Sequence, residues 1–170
     1  SRTLIWFAFL ADLGFWRGDE SVVQRWVARC AAVERPDVAN DVRFTALQRG
    51  QLHLMRGEWR EAAEAFERAA AYGLERALLW LAEVRLELGD VPAARALIER
   101  AVADAAERGN VLIEIVAQLV LARVLRRADG LAARGGVERA LDRMGALIDE
   151  TGAELYRPFM EVERAALAQL

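Results

Sequence analysis

The sequence predicts an all-α protein made of antiparallel helix pairs joined by tight turns. Three observations predict it. Good helix formers dominate the 170 residues, chiefly Ala, Leu, Glu and Arg. Apolar residues recur at three- and four-residue spacing, the helical period. Gly followed by an acidic residue punctuates the chain at Gly18-Asp19, Gly57-Glu58 and Gly89-Asp90, a turn signal between helical runs.

About nine helices follow from these signals, over 3–16, 20–34, 41–56, 59–72, 75–88, 91–108, 111–128, 136–151 and 155–168. The first is strongly apolar, from Leu4 to Phe15. Asp19 caps the second, and Pro36 marks its end. The fourth shows one apolar face through Trp59, Ala62, Ala63, Phe66, Ala69 and Ala70. The fifth shows another through Leu78, Leu81, Ala82 and Leu86. Asp90 caps the sixth, and Pro92 sits in its first turn, where a missing N–H costs little. Gly73, Gly109 and Gly152 are further stops. Gly135-Gly136 is expected to break the chain before the eighth helix, after a longer loop from Ala128. Pro158 starts or kinks the last helix. The organisation expected is one domain over 1–170, four helix pairs and a C-terminal capping helix, excised from a longer multidomain protein.

A pattern repeats around the glycines. Seven residues before the turn Gly stands a small residue: Ala11, Gly50 or Ala82. Five after it comes Val23, Ala62 or Ala94, nine after it Val27, Phe66 or Ile98, and twelve after it Cys30, Ala69 or Ala101. A fourth copy places Ala122 in its first helix and Ala140 and Met144 in its second. Antiparallel helices approach closely only where one offers a small residue to the other's bulky one. A single pair leaves an apolar face open, so pairs must stack.

This pattern resembles the tetratricopeptide repeat, best in the second copy, from Gly50 through Gly57-Glu58-Trp59-Arg60-Glu61-Ala62 to Phe66 and Ala69. The resemblance implies a right-handed superhelix of helix pairs, an α-solenoid. The last third, Leu125-Arg126-Arg127-Ala128-Asp129-Gly130 with Glu150 to Phe159 and Glu163 to Ala168, resembles the C-terminal arms of bacterial signalling ATPases. These are the proteins coupling an adenylate or guanylate cyclase domain to an ATPase, and the LuxR-type, maltose-regulator-like ATP-dependent activators. The resemblance implies catalytic domains upstream and a regulatory role for the repeats.

Composition excludes several classes. The net charge is −3, with charged residues at 29% and interleaved in sign, which gives no pull toward nucleic acid or anionic lipid. All 23 basic residues are Arg, so a GxxxxGK[ST] phosphate loop cannot occur. No GxGxxG, HExxH or Cys/His cluster is present, and no metal or other cofactor is expected. The single Cys30 permits no internal disulfide, which fits a reducing, cytoplasmic setting. Leu4 to Phe15 is too short and, with Asp12, too interrupted to span a membrane. With His53 the only His and Ser1 and Ser21 the only Ser, no nucleophile, acid and base converge, and no enzyme activity is expected. Packing is the better reading of His53, of Cys30 and of the five Trp. Trp6 and Phe9 are exceptions, because a preceding repeat would normally cover them. Exposed, they favour dimerisation.

The candidate site follows from the repeat. In such an array the first helix of each pair lines a concave face. Asp12, Gln51, Glu83 and Arg123 then form a polar ladder, flanked by Leu47, Leu54, Leu79 and Leu86. Such a face suits a peptide, a partner helix or a small polar ligand. The function expected is a non-catalytic interaction and regulatory module, its partner another protein, a peptide or the upstream domains of its own chain. The alternative is a small-molecule sensor holding its ligand inside the curl.

Overall fold

A computed structural model describes residues 2–170, and among these the regular structure is helical throughout. The helices are α1 (Arg2–Trp16), α2 (Glu20–Val33), α3 (Ala39–Arg56), α4 (Trp59–Ala71), α5 (Ala77–Glu87), α6 (Val91–Glu107), α7 (Val111–Asp129), α8 (Arg134–Thr151) and α9 (Arg157–Ala168). These bounds lie within two residues of the expected ones. Pro158 falls in the first turn of α9, so that helix starts there and does not kink.

The turns close by a shared device. Gly18, Gly57, Gly73, Gly89 and Gly109 all take positive φ, the left-handed conformation open to a residue without Cβ. Each donates its N–H to a carbonyl three residues back, and the next residue donates to one five back. At Gly89 these bonds are Gly89 N to Leu86 O, 3.0 Å, and Asp90 N to Arg85 O, 2.8 Å. Asp19, Asp90 and Asn110 then accept the backbone N–H of the residue three further on, capping α2, α6 and α7.

One expected break lies elsewhere. Gly135 and Gly136 sit inside α8, and the chain turns at Gly130, with φ +55°, followed by a 3-10 turn over Gly130–Ala133. Gly136 is small for a packing reason. A Cβ there would lie 3.2 Å from Leu125 Cδ1 of α7, so its absence lets α7 and α8 close together.

The chain divides into two compact units, Ser1–Val84 and Arg85–Leu170. In the first, α1 packs on α2 and α3 on α4, while α3 also lies against α1 and α2. One core cluster joins Leu4 and Ala8 of α1 to Cys30 of α2, and another joins Val23 and Val27 of α2 to Leu52 of α3. The small-against-bulky pattern is literal in the second pair. Phe66 is fully buried, and a Cβ on Gly50 would lie 2.5 Å from its ring. In the first pair Ala11 is fully buried, and Gly14 also makes a close approach, with Val22 and Val23 where its Cβ would stand. In the second unit α7 packs on α6, α8 and α9, and α8 on α9. Its core runs through Ile115, Leu119 and Ala122 of α7, Leu141, Met144 and Ile148 of α8, and Met160 and Leu167 of α9.

Candidate interaction surfaces

The first unit holds Asp12, Gln51, Leu47, Leu54, Leu79 and Glu83. Asp12 and Gln51 meet directly. Asp12 Oδ1 accepts from Gln51 Nε2 at 3.0 Å and from Gln48 Nε2 at 3.2 Å, and its Oδ2 accepts from Arg76 at 2.5 Å. Gln48 and Gln51 are buried, so α1, α3 and the segment before α5 are tied by one polar knot. The amide oxygens of both glutamines, the Arg76 Nε and the Thr45 hydroxyl are buried without a protein partner among the described residues. Buried donors and acceptors of this kind are ordinarily met by ordered water. Leu47 and Leu79 belong to the core, Leu54 is half-buried, and Glu83 is half-buried on α5.

The second unit holds Leu86, which is buried, and Arg123. Arg123 donates to the Glu163 carboxylate at 2.9 Å, and Arg126 donates to the same group at 3.0 and 3.1 Å. Glu163 is buried, so this triad clamps α9 onto α7. Gln48, Arg76 and Glu163 were not singled out by sequence, because nothing at short range relates them to Asp12 or Arg123. Asp12 and Gln51 direct their hydrogen bonds inward, and Arg123 reaches α9.

The other residues singled out by sequence have packing roles. Cys30 is buried, and that burial, reinforced by the Asp12 and Glu34 carboxylates, pushes its thiol up to about 12. A thiol so protonated is a poor nucleophile. His53 Nδ1 lies 2.5 Å from Glu58 Oε2 across the turn between α3 and α4. Trp80 is buried, with its ring edge-on to Phe15 and Trp16 at 5.0 and 5.6 Å, and Phe7 and Trp26 pack at 5.3 Å. Among the described residues, no group of three or more His, Cys, Asp or Glu is placed to hold a metal ion, and no helix is long and apolar enough to cross a membrane.

The surface feature that stands out is on α1. Leu4, Ala8, Ala11 and Gly14 form its buried face. On another face Ile5 is 45% exposed, Trp6 67%, Phe9 56% and Leu13 42%. Ile5, Phe9 and Leu13 are spaced by four, a single stripe beside Trp6, and no charged residue interrupts it. Trp6 and Phe9 were expected in it. Ile5 and Leu13 follow once one counts four residues either way from Phe9. No family model, curated protein or solved structure matches the chain.

Proposed function

We propose that this chain is a non-catalytic helical-repeat interaction module that docks an apolar helix of a partner along α1. The exposed stripe of Ile5, Trp6, Phe9 and Leu13 carries the reading. Four large apolar side chains at helical spacing, uninterrupted by charge, match the ridge-and-groove surface one helix offers another. Trp and Phe are the residue types that anchor such contacts. An apolar or amphipathic helix is the occupant whose chemistry fits, because an extended polar peptide would leave these side chains in water.

The tetratricopeptide-like pattern supports assigning the helix pairs to that repeat type. The likeness of the last third to the arms of signalling ATPases supports a regulatory use, with docking on α1 altering the activity of attached domains. Both belong to the proposal.

A second copy of the chain is the simplest test partner, because it offers the same apolar helix. In sedimentation velocity the protein should dimerise in a concentration-dependent way at tens of micromolar. Trp6→Glu with Phe9→Glu should give a monomer of unchanged helicity, since both side chains face solvent. A strictly monomeric parent chain, or a dimer untouched by the double substitution, sinks the reading.

A further inference from the structure

The second unit carries an open cleft of about 560 Å³, a volume in the range of small-ligand sites. Its floor is α7, where Gln118, Leu121 and Leu125 share one face. One wall is α6, with Arg95 and Glu99. The other is α8, with Arg139 and Arg143.

The charges divide into spent and unspent. Arg95 is paired with Asp129, and Arg143 donates its Nε to Glu114 at 2.8 Å. Glu99 on α6 and Arg139 on α8 have no ion-pair partner among the described residues. Two opposite charges therefore remain, one on each wall. Between them lies Gln118, only 7% exposed, whose amide has no hydrogen-bond partner among the described residues. Its amide atoms are not fully enclosed and reach the open cleft, where a ligand can replace the water they meet.

We infer that this cleft binds a short peptide with free termini. The α-carboxylate fits the Arg139 guanidinium, which can accept it with two parallel N–H donors. The α-ammonium fits Glu99. A peptide group offers one N–H and one C=O, the complement of the Gln118 amide, which has both a donor and an acceptor. An aliphatic side chain covers Leu121 and Leu125. A simple anion such as phosphate would meet Arg139 but leave the Glu99 carboxylate without a cationic partner, so a zwitterion is the better complement. The site is separate from the α1 stripe and lies in the other unit, so it stands whether or not that stripe docks a helix.

The test uses the whole chain and three probes in calorimetric or NMR titration: leucyl-leucine, N-acetyl-leucyl-leucine and leucyl-leucinamide. The zwitterionic dipeptide should bind, and removal of either terminal charge should weaken it about tenfold or more. Arg139→Gln should lower affinity for leucyl-leucine by a similar factor and erase the preference for a free carboxylate. Glu99→Gln should erase the preference for a free ammonium. Both side chains are exposed, so the fold tolerates both changes. No binding of leucyl-leucine up to about 10 mM, equal binding of all three probes, or indifference to both substitutions overturns the assignment.

Discussion

Gly50, inside α3, and Gly89, in the turn before α6, are needed for different reasons. At Gly50 the constraint is steric, since the Phe66 ring occupies the space a Cβ would take. Gly50→Ala should cost about 1–3 kcal/mol, the usual penalty of overpacking. Adding Phe66→Leu should recover part of it, a coupling of about 1 kcal/mol or more in a double-mutant cycle by urea denaturation. Additive effects would show that the two helices do not meet there. At Gly89 nothing lies within 4 Å of a built Cβ, and the constraint is its φ of +82° alone. That distinction was only half legible in sequence. Small residues at repeating offsets announced close helix packing. Which other small residues make close approaches depends on the rotation of each helix, as Gly14 does against Val22 and Val23 in the first pair.

At the scale of the element, helix bounds were readable because start and stop signals are strong and local. The one misplaced break shows the limit of such signals. Two adjacent glycines looked like a stop, but φ at Gly130 turns the chain, and Gly136 makes room for Leu125. A glycine signals either freedom of backbone or absence of side chain, and sequence alone does not say which. The turn leading into α6 permits a direct test. Gly89→Ala should destabilise by about 1–2 kcal/mol through left-handed backbone strain, and Asp90→Ala by about 1 kcal/mol through loss of the cap. Thermal unfolding followed by circular dichroism reads both, and a neutral Gly89→Ala would contradict the left-handed turn. The exposed stripe on α1 was legible in part, because its helical spacing is plain but its exposure depends on what covers the helix. The cleft on α7 was not legible. Glu99, Gln118 and Arg139 come from three helices, and nothing in their local sequence marks them.

For the molecule as a whole, the sequence carried the helical class and its paired connectivity, while long-range ion pairs were out of its reach. Hydrogen-bonded carboxylates, near and far in sequence, bear on acid stability. The Arg35 guanidinium, 2.7 Å from Asp41, holds that buried carboxyl at about 2, below its ordinary 3.8. Asp19 is lowered by the Val22 backbone N–H, Glu87 by Arg127 and Glu154 by Arg157. Each folded-state value lies below the unfolded one. Their stabilisation is therefore full above the ordinary carboxylate range and is lost as pH falls through it toward 2. The urea midpoint should be level above about pH 5 and decline steadily from about pH 4.5 to pH 2. Arg35→Ala should return the Asp41 carboxyl toward its ordinary value in an NMR titration and flatten the lower part of that decline. A midpoint indifferent to pH across this range would remove the ion pairs from the account of stability.

The closures at Gly18, Gly89 and Gly109 share one further property. Each is completed by backbone carbonyls just upstream and by a capping side chain that accepts the backbone N–H three residues downstream, all within about ten consecutive positions. Nothing distant in the chain is required to make the bend. Such a segment behaves as a self-contained hinge-pin that can be copied, moved or exchanged between neighbouring hairpins without renegotiating its surroundings. A gene that duplicates one hairpin therefore inherits a finished corner with it, and length can change by whole hairpins while every bend keeps its geometry.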